Sequence, residues 1–589
     1  NAGSVVVDGR TQVMFGGDTN SFGPEIVIDG TLAGMDVDGL VIQSNFNGII
    51  DLNIQHFDGD GIVIDDAYNS VITGNYVGVD ATGTQDAGNG GDGVAIHFGG
   101  KNRIGGIGVG DGNVLSGNDG RGLFLSHSDD AIVKGNFIGT NASGTAAISN
   151  GKHGVQLNSS NDAVIGGDVT RARNVISGND NSGVALIGAD NNRIQNNLIG
   201  TDVFGTKGLG NALDGIYLQA SRGNLVGGVL SSAANTIAFN DRDGVAVTDA
   251  DSTGNAIRHN RVFDNNRLGI DLNNDGLSQP NDIGDADTGP NNLQNVPVIT
   301  VADPGVSHVA GMLNSLANNT FDIDLFANRS ADPSGVGEGE RFLTSIPVTT
   351  DAMGYATFDV VFKAALPNGE FVTATATDEQ SNTSEFSVAF QALDLVAPAA
   401  VAEIGSVKKS KVRKHQFTVT YGDNTRVDDA SFDNQDIRVT GPNGFEHLAT
   451  FVSASRPGVV DNGNQIGIES VVTYEISAPD MFFRFADNGV YTAALEPGQI
   501  LDVNANMAAG TILDTFHVKV PPDKTVPKAQ LVAQDVFDLD GTEHTFIVRY
   551  TDAVQIDQTT IDSKDIRVFG PNGFDQITPL VSAQVSPDG

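Results

Sequence analysis

Asp65 and His97 stand four residues past Gly61 and Gly93, at the same place in two sequence stretches that begin alike. A carboxylate held beside an imidazole orients the ring and readies it to take a proton, which is the arrangement of a general base. Arg103 and Lys134 follow on what reads as the neighbouring strand and carry the positive charge that would neutralise an anionic group. These four are the catalytic candidates; as side chains on the outer face of a sheet, they also need no function at all. A second constellation is Asp271-Leu-Asn273-Asn-Asp275-Gly276-Leu277, with Asp282 at the twelfth position. That is the D-x-N-x-D-G spacing of an EF-hand-type loop. Carboxylates at alternate positions converge on one hard cation, Gly276 permits the sharp turn, and the Leu277 carbonyl adds an oxygen. Calcium is the ion such a set expects. Asp285 and Asp287 extend the acidic run, and a bound ion would stiffen the junction to whatever follows.

Whether any of these residues meet depends on the elements beneath them. A glycine followed by alternating apolar residues recurs at Gly61, Gly93, Gly122, Gly154, Gly183, Gly215, Gly244 and Gly269, with spacings of 32, 29, 32, 29, 32, 29 and 25. Asparagines run alongside at 75, 113, 136, 174, 197, 235 and 260. The bare repeat is about 23 residues, enough for three short strands and three turns. No proline lies between Pro24 and Pro280, as uninterrupted strand ladders require. The pattern predicts an all-β right-handed parallel β-helix, each repeat one coil. A side-chain amide at one turn of every coil can bond to its neighbours above and below, so the asparagines read as architecture. So does the GT(D/N)xxGT pattern at Asp80, Asn141 and Asp202. Insertions fall at about 79–92, 140–153 and 201–214, and again at about 107–112, 168–173 and 229–234. Stacked, they would wall a long open sheet face into a trough suited to an extended polymer.

The chain has 589 residues and a formal charge of −40. That balance argues against nucleic acid and anionic membranes as partners, because both are polyanions. Zero cysteines remove disulfides, thiolate catalysis and Cys-ligated zinc. No apolar run is long enough to span a membrane. Asn1 opens without a basic and apolar leader, which predicts that a leader was removed or that a longer parent exists.

The stretches DGLVIQ, NIQHFDGDGIVI, GNFIGTNASGT, RNVISGND, DADTGPNNLQNVPVI and TATATDEQSNTSEFS resemble the pectin-lyase-like superfamily of β-helix proteins, in particular the large multidomain secreted proteins of environmental bacteria. The resemblance covers most of residues 20–390. That superfamily holds pectate lyases, polygalacturonases, uronan epimerases, tailspikes and non-enzymatic adhesins, so it implies architecture more than chemistry. Asp65–Asp66, Asp129–Asp130 and Lys152-His153-Gly154 approximate parts of the hydrolase signature, but no complete catalytic set is present.

Beyond about 296 the prolines return and the pattern becomes that of β-sandwiches. Phe417-Thr-Val-Thr-Tyr421 matches Phe546-Ile-Val-Arg-Tyr550, and Gly441-Pro-Asn-Gly-Phe445 matches Gly570-Pro-Asn-Gly-Phe574, both at the same offset along the chain. The expected order is a β-helix over 1–295, a β-sandwich over 296–392, an extended linker at 395–403, an immunoglobulin-like β-sandwich over 400–522, and a partial copy of it over 525–589. That partial copy predicts a longer polypeptide. The expectation for function is an extracellular or cell-surface protein whose β-helix face binds polysaccharide or another surface, with the sandwiches as spacers. The alternative is a polysaccharide lyase, glycoside hydrolase or uronan epimerase working along the same face. A cluster of charged residues that does not repeat from coil to coil would favour the enzyme.

Overall fold

The computed structural model describes residues 4–585 apart from 22, 457–458, 462–465, 534, 538–540 and 553–555. It falls into two compact units, Asn1–Leu393 and Asp394–Gly589. In the first unit the repeats wind into a parallel β-helix of three nine-stranded sheets. Sheet I holds the glycine-anchored strands, from Leu40–Ile42 to Ile270–Leu272. Sheet II runs from Val6–Asp8 to Ala256–Arg258, and sheet III from Ile26–Asp29 to Arg261–Phe263. Equivalent residues stack in register: Val94 pairs with Leu123, Leu123 with Val155, and Val155 with Val184. Their side chains form one aliphatic column that is fully buried. The anchor glycines stand where the coils are tightest. A Cβ on Gly122 would lie 2.6 Å from Ile138 and 2.8 Å from the Gly154 carbonyl.

The asparagines do the work expected of them. Asn113 donates its backbone N–H and its amide to Oδ1 of Asn136, at 3.0 and 2.9 Å, and Asn136 does the same to Asn174. A second ladder (Asn89, Asn118, Asn150, Asn179, Asn211, Asn240 and Asn265) and a shorter third one (Asn192, Asn224 and Asn255) repeat the device at the other corners. Each satisfies backbone groups that a turn would otherwise bury unpaired.

The insertions project from two edges. Those at 79–92, 140–153 and 201–214 are small hairpins between sheet III and the next strand of sheet I. Ala142 N–H bonds to Gly83 O at 2.9 Å, and Val203 N–H to Gly144 O at 2.8 Å, so the hairpins of alternate coils touch. The carboxylate of Asp80 takes the N–H groups of Thr84 and Gln85, and Asp202 takes those of Thr206 and Lys207, which makes the GT(D/N)xxGT pattern a turn device. The other insertions lie between sheets II and III. Sheet III is therefore walled on both sides.

Residues 298–391 form antiparallel sheets of three and four strands around their own core. This sandwich closes the last coil. Phe326 and Phe386 join the β-helix core, and Val262 and Gly339 exchange two backbone hydrogen bonds of 2.9 Å. In the second unit, antiparallel sheets enclose Tyr421, Tyr474 and Tyr491. Ala399–Glu403, expected to be linker, is a strand paired with Lys414–Asp423. Each Pro-Asn-Gly motif turns a hairpin, with Asn443 at φ 59° and Asn572 at φ 60°. The segments at Lys528–Val532 and Ile547–Thr551 also pair as a hairpin.

Candidate functional site

Over sheet III the two rows of insertions enclose a groove of about 770 Å³. Its floor is the outward column Tyr76, Val114, Phe137 and Val175, which pair in register across successive coils. Tyr76 and Phe137 are half-buried and lie two coils apart, about 10 Å at the spacing of parallel strands. The hairpins press on these rings: a Cβ on Gly83 would meet Tyr76 at 2.8 Å, and one on Gly144 would meet Phe137 at 2.7 Å. Gly106–Gly112 and Thr170–Arg173 form the opposite wall, and Asp18, Asn20, Gly23 and Glu25 lie at one end. Asp51, Arg171 and Arg173 bring charge to the lining. Burial pushes the Asp51 carboxyl up and the Arg173 guanidinium down. An apolar floor with a few polar groups at its margins is the general form of a ligand site.

Sheet I carries the catalytic candidates Asp65 and His97. They are paired residues of adjacent coils, as the glycine register requires. No hydrogen bond joins them among the described residues. Asp65 accepts one from Gln43 at 3.1 Å, and His97 stands edge-on to Phe124 with ring centres 5.6 Å apart. Arg103 and Lys134 are on the strands that follow in the chain, which belong to sheet II: Arg103 pairs with Val71 and Ile132, and Lys134 with Gly105. The turn at 98–102, with Phe98 and Lys101 at positive φ, swings the chain onto that other sheet. The four candidates are thus divided between two sheets.

What sheet I does assemble lies in the column just before the anchor glycines. Before four of the eight anchor glycines this position holds aspartate (Asp60, Asp92, Asp214 and Asp243), whose oxygen receives the backbone N–H one coil on, as Asp60 does from Asp92 and Asp214 from Asp243. The other four hold Arg121, His153, Ser182 and Leu268, and of these only Arg121 and His153 are titratable. Arg121 pairs with Asp92 at 3.2 Å, hydrogen-bonds Gln156, and lies 4.2 Å over the Phe124 ring. His153 is held down at about 4 by burial and by Arg121, so it is neutral at pH 7, and its Nδ1 is buried without a partner. This charged cluster does not repeat. Reading the column for its exceptions, rather than for its period, is the sequence signal that finds it.

The candidate calcium residues are disposed differently from their spacing. Asp271 sits in strand Ile270–Leu272 opposite Ala246, with one oxygen accepting the Gly276 N–H at 2.7 Å and the other buried without a partner. Asn273 lies at φ 108°, and Asp275 accepts the N–H of Leu277 at 2.9 Å. Glu385 of the sandwich fastens this loop by accepting the N–H groups of Leu272 and Gln279, at 2.9 and 2.8 Å. Burial raises Glu385 to about 7, and burial with the neighbouring Asp271 raises Asp243 also to about 7. Asp282 converges instead with Asp285 and Asp287, one oxygen of each within 4.8 Å of the others. Asp285 is raised to about 6 by burial while it accepts from Asn295 and Ser315.

No family model and no curated protein matches the chain. Among solved structures, a mutant of the periplasmic alginate epimerase AlgG is similar at 18% identity over 36% of this chain and 38% of that one, with a TM-score of 0.25. The enzymatically active domain of bacteriophage CBA120 tailspike protein 2 is similar at 12% identity over 82% of this chain and 66% of that one, with a TM-score of 0.20. This chain therefore spans well under half the length of the epimerase chain. The fold stands on the strand ladders themselves.

Proposed function

We propose that this is an extracellular or cell-surface protein that binds an extended polysaccharide in the groove over sheet III, with its sandwich modules as spacers. The observation that carries the reading is the pair of half-buried rings, Tyr76 and Phe137, on the floor of a channel walled on both sides. Sugar rings present apolar C–H faces that pack on aromatic rings, and hydroxyls that bond to carboxylates, guanidinium groups and glycine-rich backbone. A linear glycan running along the coils meets an aromatic ring at Tyr76 and again two rungs on at Phe137. The −40 charge favours neutral glycans over polyuronates unless a cation bridges the two. Calorimetric titration of the full chain with soluble neutral and acidic glycans tests this. A glycan that binds wild type and loses at least tenfold in affinity to Tyr76→Ala supports the groove, and equal affinity for both removes it.

A second reading, catalysis on sheet I, is favoured by the non-repeating cluster of Asp92, Arg121 and His153. A neutral imidazole at pH 7 can accept a proton, and a guanidinium can hold an anionic sugar substituent. New reducing ends or unsaturated products from a panel of polysaccharides, abolished by His153→Ala, would establish it. Turnover that persists in that variant would remove His153 from the assignment.

A further inference from the structure

The second unit contains three carboxylates that neither of these readings uses: Asp394, Asp423 and Asp502. All are buried, at 5%, 6% and 2% exposure, and one oxygen of each lies within 4.8 Å of one from each of the others. They come from distant places. Asp394 lies in the segment leading into the first strand, Asp423 ends strand Lys414–Asp423, and Asp502 sits in the loop after Gly489–Leu495.

Their hydrogen bonding is lopsided. Asp394 receives Thr425 Oγ1 at 2.8 Å and Asn504 Nδ2 at 2.7 Å. Both oxygens of Asp502 are used, by the N–H groups of Asn504 and Asn506 and by the Asn506 amide. In Asp423, Oδ1 takes the N–H and hydroxyl of Thr425, at 2.8 and 2.7 Å, while Oδ2 is buried with no hydrogen-bond partner. Neither Asp423 nor Asp502 makes an ion pair among the described residues. Buried like charges without a counter-ion are the costly arrangement that folded proteins avoid. Burial and the two neighbouring aspartates accordingly hold Asp423 above the ordinary carboxylate range.

We propose that Asp394, Asp423 and Asp502 form a calcium site that fastens the incoming segment of the immunoglobulin-like module to two of its loops. Oxygens each 2.3–2.6 Å from one calcium ion stand no more than about 5 Å apart, which is the separation these three already have. The donors are all oxygen, the preference of a hard cation, and among the described residues no histidine or cysteine joins them. The internal repeat supports the assignment. Asp523 and Asp552 follow Asp394 and Asp423 at the offset that relates the two copies of the Pro-Asn-Gly hairpin, and their carboxyl groups again lie together. The Asp394 turn recurs as well: Val396 N–H bonds to Asp394 as Thr525 N–H does to Asp523.

Hydrogen exchange read by mass spectrometry on the full chain, with calcium alone as the probe, tests the site. Chelator-treated protein is compared with protein in millimolar calcium. The expected result is at least tenfold slower exchange in peptides covering 420–428 and 499–508, reversed by chelator. In Asp423→Asn, which keeps the side-chain shape, the calcium concentration giving half protection should rise at least tenfold. Protection confined to peptides around 271–287, or none anywhere, would overturn the proposal, and so would an unchanged response in Asp423→Asn. Should that variant fail to fold, the wild-type comparison decides by itself, because exchange is located peptide by peptide.

Discussion

Asn265 donates its backbone N–H and its side-chain amide to a single oxygen of Glu338, at 3.2 and 2.9 Å. The rungs at Asn118, Asn179, Asn211 and Asn240 make the same two contacts to the next asparagine of the ladder. Glu338, from the sandwich, stands where an eighth asparagine would, and ends the stack by imitating one. The imitation is imperfect, because a carboxyl buried there is pushed up to about 8.

Replacing Glu338 with glutamine supplies the same acceptor without the charge. The folded-state pKa of Glu338 lies above its ordinary value of 4.5. Its contribution is therefore complete below that value and is lost as pH rises through about 8. Glu338→Gln should match wild type at pH 5 and exceed it by roughly 1–3 kcal/mol at pH 8.5, measured by urea unfolding. Glu385 and Asp243, both near 7, slope the same way, so the first unit of the wild type should gain stability on acidification from pH 8 to 5. A variant no more stable than wild type at pH 8.5 would mean that the buried charge is compensated.

The asparagine ladders make a sharper demand on stability. Asn174 accepts both contacts of Asn136 and donates to the Val133 carbonyl and to Asn197, each at about 2.9–3.0 Å. Asn174→Ala strands several buried backbone and amide groups and should cost roughly 2–4 kcal/mol. Asn141→Ala, at a hairpin tip, should cost less than about 1 kcal/mol. Equal losses for the two, in urea unfolding, would show that the ladder is incidental.

Much of this architecture was legible because it is periodic. The glycine spacing fixed which residues stack, so the pairing of Asp65 with His97 and the walls of the groove followed from counting. The Asn89 series was hidden by the same regularity, since its spacings of 29, 32, 29, 32, 29 and 25 coincide with the glycine period. Spacing gives neighbours along the chain but not the direction of a side chain. Arg103 follows His97 by six residues, but the turn between them carries it to another sheet. The D-x-N-x-D-G run has the right order, yet Asp271 is fully buried between the core residues Ile270 and Leu272 and is bonded to Gly276, while Asp282 lies with Asp285 and Asp287. Glu338, Glu385 and Asp324 act on coils that lie far back along the chain, and no local pattern announces such contacts.

Arg258 shows how firmly the sandwich is tied to the last coil. Its guanidinium bonds to Asp324 at 2.5 and 2.9 Å and to Asp322 at 2.8 Å, and the Asp324 side chain is fully buried. These donors, with His259, hold Asp324 in its charged form against the cost of burial. Arg258→Met leaves that charge without its partner and should destabilise the first unit by roughly 3–5 kcal/mol. The double change Arg258→Met, Asp324→Leu should recover most of the loss, because it removes the stranded charge as well. Unfolding curves for the two variants check this, and a double variant as weak as the single would assign the loss to packing instead.

The two outward faces of the β-helix make opposite predictions for a bound glycan. Phe137 is on the groove floor of sheet III, whereas Phe124 lies on sheet I beneath Arg121. Both rings are only half-buried, so truncating either should leave the fold intact. Phe137→Ala should weaken glycan binding at least tenfold, or about 1.4 kcal/mol, with Phe124→Ala within twofold of wild type. Turnover, if a substrate is found, should respond in the reverse order, since Phe124 stacks on the Arg121 that pairs with Asp92. A loss of binding in Phe124→Ala alone would move the glycan from the walled groove to the charged face, and the spacing of the hairpins would then need another explanation.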